Sequence, residues 1–244
     1  ERVVTALRRS FHDREYRAEQ LPALAERYRS AAEAAETVGE ERGIVHAFLS
    51  EIPASHLALY SRKTHSSLFA ELGGRNRPTL GMQLEQRGGK FFATWIYEGG
   101  PADRAGVLRG DRVIAIDGQP TPRSARLGRR SDDAHLPDPP LHALLVEDED
   151  EVQLTVQRTA GGDPFDIAVE AQPYCGWSGT KASARIIEHR GMRIGYVHLW
   201  FIYISGASRL LDRLCEEEFA DCDAVIVDLR GRGGSAGACE AIAK

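Results

Sequence analysis

Lysine is scarce in this chain. It occurs only at Lys63, Lys90, Lys181 and Lys244, so most of the 31 basic residues are arginines. Against 36 acidic residues they leave a formal net charge of -5. No long Lys/Arg block is present to neutralise a row of phosphates, so nucleic acid is not an expected partner. Also absent is any stretch near the roughly 18 uninterrupted apolar residues of a membrane-spanning helix, and no transmembrane segment is expected. The chain opens on Glu1 without a charged-then-apolar leader, and the missing initiator Met reads as processing or trimming. The four cysteines, Cys175, Cys215, Cys222 and Cys239, make no C-x-x-C pair. No His, Asp or Glu stands beside them at ligand spacing, so no metal and no cofactor is expected. They read as structural thiols, with a Cys215–Cys222 disulfide open to an exported protein.

What is present suffices for real cores: 244 residues, 42% of them apolar, make one large domain or two to three small ones. The first seventy residues read as helices. One is expected from Leu21 to Ala35, opening with Pro22, where the missing N–H costs nothing. Thr37-Val38-Gly39-Glu40 is a capping box for the next, and Ile44, Val45, Phe48, Leu49 and Ile52 give it one apolar face. Pro53 ends it. Ala54-Ser55-His56-Leu57 then lies at a helix end, and Gly73-Gly74-Arg75-Asn76-Arg77-Pro78 reads as a linker.

From Thr79 the pattern changes to strands and glycine turns. Gly81-Met82-Gln83-Leu84-Glu85 alternates, Gly88-Gly89 turns, and Phe91 to Ile96 is β-branched and aromatic. After Gly99-Gly100-Pro101 comes a very short helix with Ala102 and Ala105, then a strand from Arg112 to Ile116 closed by Asp117-Gly118. Thr121 to Pro140, rich in Arg, Ser, Asp and Pro, reads as a mobile insertion. A short helix near Leu141 to Glu147 and strands Val152–Arg158 and Phe165–Glu170 follow. Asp148-Glu149-Asp150-Glu151 lacks the spacing and glycine of a calcium loop and reads as a solvated acidic turn. In the last third, Ala184 to Glu188 and Arg193 to Trp200 form a hairpin around Arg190-Gly191. An amphipathic helix spans about Ala207 to Phe219, and Ala224 to Leu229 is a continuous apolar strand of the kind buried on both faces. Strand, helix and strand make a right-handed crossover.

The middle segment resembles a PDZ domain through three stretches. They are Leu80-Gly81-Met82 with Leu84, Gly99-Gly100-Pro101-Ala102-Asp103-Arg104-Ala105-Gly106, and Leu108-Arg109-Gly110-Asp111-Arg112-Val113-Ile114. In such a domain a glycine-containing loop leaves backbone N–H groups to hold a peptide's terminal carboxylate, and the next strand pairs with the peptide. The resemblance implies a peptide site at Leu80, Gly81, Met82 and Leu84, with Leu144 and Leu145 beside them. The implied partner is a peptide or protein substrate taken through its C-terminus.

Ile194-Gly195-Tyr196-Val197, followed by Ala224 to Gly234, resembles the start of the catalytic domain of tail-specific (C-terminal processing) serine peptidases and tricorn-type proteases. In that family the turn after the strand supplies oxyanion-hole N–H groups, which implies Gly233 and Gly234 here. The sequence departs from the pattern at Arg232, where Asn is usual, and at Ser235, where a third Gly is usual. The tricorn branch takes its base from a Ser-His pair, which Ser55-His56 resembles, with His56 as the base and Ser55 in support. The processing branch uses a Lys; Lys181 precedes the core strands and Lys244 is terminal, so neither fits that role. Both branches take their nucleophilic Ser from beyond the glycine turn, where only ten residues remain. Gly233-Gly234-Ser235-Ala236-Gly237 also fits the G-x-S-x-G elbow, but Ser235 lies six residues past Leu229 and no His follows it. Ser235 reads better as a helix cap. His198, alternating with Tyr196 and Trp200, is expected as a packed strand residue, and His142 as a surface histidine.

The expected fold is therefore α+β and multidomain. It comprises an N-terminal helical domain (1–74), a PDZ-like β domain (79–172, with the insertion near 121–140) and the beginning of an α/β, crotonase-like peptidase domain (183–244). The expected function is a serine peptidase, inactive in this portion, cleaving peptides or protein C-termini. The rival is a non-catalytic peptide-binding scaffold. A periplasmic or secreted setting is slightly favoured over a cytoplasmic one.

Overall fold

The computed structural model describes residues 1–54, 57–60, 74–129, 141–201 and 206–230. The architecture is α+β and multidomain, and the chain divides into two compact units, 1–63 with 131–138 and 64–130 with 139–244.

The first unit is built from α1 (Arg2–Ser10), α2 (Arg14–Ala34) and α3 (Val38–Ser50). Their apolar stripes meet in a core of Leu7, Phe11, Tyr16, Leu21, Leu24, Phe48, Leu49 and Ile52. The capping box at the start of α3 is formed: Glu40 N–H donates to Thr37 Oγ1 at 3.2 Å and Thr37 N–H to Glu40 Oε2 at 3.1 Å. Glu51, just past α3, accepts from Arg27 and Tyr28 and so fastens α3 to α2. One expectation is corrected. Pro22 lies inside α2, which begins eight residues earlier at Arg14, behind an Asp13 cap that accepts from Tyr16 N–H at 2.9 Å. The cap satisfies an orphan donor of the first turn, and the apolar stripe carries the helix past the proline.

The second unit is centred on a β sheet. Its strands are β2 (Met82–Arg87), β3 (Lys90–Ile96), β4 (Arg112–Ile116), β5 (Gln119–Pro120), β6 (Leu127–Arg129), β7 (Leu141–Leu144), β8 (Glu151–Gln157) and β9 (Phe165–Glu170). They lie in the order β6-β7-β2-β3-β4-β8-β9, with β5 beside β4. β8 shows why it folds as it does: Val152, Leu154 and Val156 are buried while the residues between them are not, the period-2 signature of a strand with one face on a core. Leu80, Leu84, Phe91, Val113, Ile116 and Val169 complete that core, covered by the short helix α4 (Pro101–Arg104).

Two expectations in this region are corrected. The segment at Leu141 is a strand, not a helix. Four apolar-rich residues before an acidic turn cannot offset helix nucleation, whereas the edge of β2 offers backbone partners at once. The stretch from Thr121 is not wholly an insertion either. Residues Thr121–Arg123 form a 3-10 turn and β6 follows it. Thr121 is buried and donates to the Val113 carbonyl at 2.9 Å, and Arg126 pairs with Asp117 at 2.6 Å and Asp150 at 2.8 Å. Asp150 thus belongs to an ion-paired loop rather than a purely solvated turn.

The chain leaves this sheet through β10 (Gln172–Tyr174), which pairs with β1 (Arg77–Thr79), and α5 (Gly176–Ser183). It then forms β11 (Arg185–His189), β12 (Met192–His198), α6 (Gly206–Glu216) and β13 (Ala224–Asp228). β11 and β12 make the expected hairpin, with Arg190 (φ 51°) and Gly191 (φ 79°) both left-handed as a tight two-residue turn requires. β12 and β13 are parallel, joined across α6. β13 departs from expectation: Val225 is 40% and Ile226 46% exposed. Among the described residues the three-stranded sheet is covered by α6 on one face, through Val197, Leu210, Leu214 and Phe219, so β13 is not buried on both. Cys175, Cys215 and Cys222 are free thiols.

Candidate functional site

The turn that starts β2 is shaped by close backbone packing. Gly81 has φ 67°, and a Cβ there would stand 3.1 Å from Pro101 Cδ. Leu80 is buried; its carbonyl accepts from Ala102 N–H at 2.9 Å, and the Gly81 carbonyl accepts from Tyr97 N–H at 2.9 Å. The N-terminus of α4 and the Gly99-Gly100 turn therefore press directly on the Leu80-Gly81-Met82 turn. A Cβ on Gly100 would sit 2.8 Å from the Tyr97 carbonyl, which explains the glycine. Asp103 accepts from Gly99 N–H at 2.8 Å and fixes the turn from the helix side.

A buried charge anchors the other end of the module. Asp111 is 1% exposed and accepts Arg158 Nε at 2.9 Å, Arg158 Nη2 at 2.8 Å and Leu108 N–H at 2.8 Å. Burial pushes its pKa up, but the bonds from Arg158 and the Leu108 N–H outweigh burial and hold the carboxyl below its ordinary value.

The edge of β2 that follows the turn is already paired. Gln83, Leu84 and Glu85 register antiparallel with Ala143, His142 and Leu141 of β7. β7 is in turn paired with β6. Of the sequence-expected peptide residues, Leu80, Met82, Leu84 and Leu144 are buried in the module core, whereas Leu145 is exposed just past β7. Leu80 to Leu84 and Leu144 thus meet across one pair of strands. His142 is buried against the Phe91 ring, centroids 5.3 Å apart, and is not a surface histidine.

A second cluster joins the sheet to the α/β part. His198, buried at the end of β12, places Nδ1 2.9 Å from Glu98 Oε1 and Nε2 3.0 Å from the Arg230 carbonyl oxygen. Glu98 also accepts from Trp200 Nε1, and its own carbonyl accepts from Tyr174 Oη at 2.6 Å. Asp228 accepts from Tyr196 Oη at 2.7 Å and from Arg230 Nε at 2.9 Å. Around these polar groups Tyr97, Trp200 and Phe201 form a small aromatic core, with Tyr97 edge-on to Trp200 at 4.8 Å. The sequence placed His198 as packed, which it is. It gave no sign of Glu98, whose only local mark is its place before the Gly99-Gly100 turn.

Ser55, His56, Gly233 and Gly234 lie outside the described residues. Within the first unit a cleft of about 500 Å³ is lined by Leu7, Phe11, His12, Pro53, Ala54 and Leu57. Among the described residues no cluster of three His, Cys, Asp or Glu side chains is placed to hold a metal ion, and no helix is long and apolar enough to cross a membrane.

Residues 92–126, which run from β3 through the glycine turn and α4 to the 3-10 turn, match the PDZ domain family. The chain contains a PDZ domain. No curated protein matches the sequence. Among solved structures the chain is similar to a photosystem II D1 C-terminal processing protease, with 16% identity and a TM-score of 0.48 over 99% of this chain and 62% of that one. It is also similar to an S41 protease from Bacteroides fragilis NCTC 9343, with 14% identity and a TM-score of 0.39 over 77% and 52% of the two chains. An HtrA-type protease with a decapeptide gives 18% identity and a TM-score of 0.30 over 46% and 33%. The chain thus spans no more than 62% of the length of any of these three. The matched residues take in the Gly99 to Gly106 segment and the Leu108 to Ile114 strand entry read from the sequence, while Leu80-Gly81-Met82 lies before them.

Proposed function

We propose that this chain is the peptide-recognising portion of a serine-type peptidase of the tail-specific or tricorn kind. The PDZ domain takes a peptide or protein C-terminus at the Leu80-Gly81-Met82 turn, and the peptide adds as a strand along β2. The observation that carries the reading is the PDZ domain match over 92–126 joined to the packing of Gly81 against Gly100 and Pro101, which shapes the turn before β2. In this structure β7 lies where the incoming strand would pair, so binding requires exchange of β7 for the peptide. His56 is the proposed base, Ser55 its support, and the N–H groups of Gly233 and Gly234 the proposed oxyanion donors. The nucleophile is proposed to lie outside residues 1–244, so this chain binds without cleaving.

The test is a calorimetric titration with two peptides of one apolar C-terminal sequence, one a free acid and one an amide. Loss of charge-assisted hydrogen bonds costs about 1.5 to 3 kcal/mol, so the amide should bind roughly 10- to 150-fold more weakly. Equal affinities would remove terminus recognition. Stoichiometric labelling of Ser235 by a serine-directed phosphonate would overturn the assignment of the nucleophile. In a protein extended past Lys244, His56→Ala should lower kcat by several orders of magnitude. Near wild-type turnover would leave a non-catalytic role for Ser55-His56, and an extended protein with no turnover at all would favour the scaffold reading.

A further inference from the structure

The His198 cluster has a property that simple packing does not explain. Both ring nitrogens face acceptors: a carboxylate oxygen at Nδ1 and a backbone carbonyl at Nε2. A neutral imidazole has one N–H and one lone pair, so in either tautomer it would aim a lone pair at one of these oxygens. With Glu98 ionised, only the imidazolium, donating from both nitrogens, satisfies the geometry.

The partners also stand at telling places in the chain. Glu98 immediately precedes Gly99-Gly100-Pro101, the turn that presses on Leu80 and Gly81. Arg230 lies two residues past β13 and immediately precedes Gly231 in the sequence. One side chain therefore spans from the PDZ domain's turn to the entry of the proposed oxyanion turn, across residues 100 and 32 positions away in sequence.

We propose that His198, held as an imidazolium between Glu98 and the Arg230 carbonyl, is a pH-sensitive clasp that positions the strand end leading to the glycine turn relative to the PDZ domain. His198 is thus a positioning residue. The catalytic consequence rests on the proposed role of Gly233 and Gly234; the clasp itself does not.

The charged and titratable groups facing the ring come from three elements. Glu98 comes from the turn just after β3, Tyr196 from β12 itself, Asp228 from the end of β13 and Arg230 from the turn just after it. Asp228 is forked by Arg230 and adds a second, more distant negative charge, so Glu98, bonded directly to the ring, is the principal counter-charge of His198. Burial would push the His198 pKa down, but the bonds to Glu98 and to the Arg230 carbonyl outweigh it and the net direction is upward. Burial alone would raise Glu98, yet its bonds to His198 and Trp200 bring it below the ordinary carboxylate value. A histidine raised on folding stabilises the fold fully below the unfolded value, about 6.5, and that contribution is lost as pH rises through the folded value.

Nitrogen-15 histidine NMR of the 244-residue chain tests the clasp. At pH 6 both His198 nitrogens should carry protons, and the ring should titrate above the ordinary histidine value. The indole of Trp200 lies 4.2 Å from the imidazole, centroid to centroid, so tryptophan fluorescence should change over the same pH range. Glu98→Gln keeps the shape and removes the counter-charge, so it should lower the midpoint in both readouts. Denaturant unfolding followed at tryptophan should show wild type losing its advantage over Glu98→Gln as the pH rises through that midpoint. A His198 that titrates at or below the ordinary histidine value, or a midpoint unmoved by Glu98→Gln in a folded variant, would overturn the clasp. Failure of peptides to bind while His198 titrates as expected would instead overturn the proposed recognition and leave the clasp standing.

Discussion

Substituting Arg158 by methionine strands a carboxylate inside the PDZ domain. In the native protein Asp111 is almost fully buried and receives two bonds from the Arg158 guanidinium and one from the Leu108 N–H. Methionine keeps an apolar stem near Phe165, whose ring centre lies 5.2 Å from the Arg158 Cζ, and removes only the charge and the donors. Breaking an ion pair buried on both sides costs roughly 3 to 5 kcal/mol. Arg158 is 38% exposed, so water already screens part of the pair and the expected loss is about 2 to 3 kcal/mol. All three tryptophans, Trp95, Trp177 and Trp200, lie in the second unit, so denaturant unfolding followed by tryptophan fluorescence reads that unit alone. The sign with pH is fixed by the lowered Asp111 pKa. Its stabilisation is present above the unfolded value, about 3.9, and is lost as pH falls through the still lower folded value. In the variant, burial acts without the guanidinium and moves that pKa upward from its wild-type position, against the remaining Leu108 N–H bond. The difference between variant and wild type should therefore be largest near pH 7 and shrink toward pH 4. A loss under about 0.5 kcal/mol, or one equal at both pH values, would show that the pair behaves like an exposed one and would refute the reasoning.

Two further changes probe the proposed peptide site. Ala143→Pro removes a ladder donor from β7 at a residue registered with both Gln83 and Gly128, so it should free the β2 edge. Weakening that pairing by about 1.4 kcal/mol should raise affinity for a free C-terminal peptide roughly tenfold, and unchanged affinity by calorimetry would count against displacement of β7. Gly81→Ala forces a left-handed alanine against Pro101, and should cost about 1 to 2 kcal/mol of second-unit stability in the same fluorescence assay, with weaker peptide binding. An alanine variant as stable as wild type would mean that the turn relaxes without loss.

Features governed by a few neighbouring residues were legible in the sequence. The Thr37–Glu40 capping box, the Arg190-Gly191 hairpin turn and the glycine turn before α4 each follow from local chemistry, and the structure has all three. Features decided by distant partners were not. Leu141-His142-Ala143-Leu144 carries no strand alternation, and it becomes β7 because β2 presents an edge more than fifty residues upstream. Ala224 to Leu229 reads as a strand covered twice, yet its second face depends on what else packs there, which no property of those residues sets. Pro22 looked like a helix start until a better cap at Asp13 took that role.

The same division separates the two halves of the candidate site. The proposed peptide turn is a run of consecutive residues, so its glycines are visible by their spacing. The Glu98–His198 pair joins residues 100 positions apart and shows locally only as a histidine between aromatics at alternating positions. That pattern suits a packed strand end, and a packed strand end is where a buried imidazole needs outside partners for both nitrogens. Here those partners come from the two backbone turns adjoining the peptide edge and the glycine turn. A mechanically neutral packing contact would have no reason to draw one acceptor from each. The cluster therefore makes the relative placement of the two turns depend on a single proton, a dependence that a hydrophobic contact in the same position could not supply.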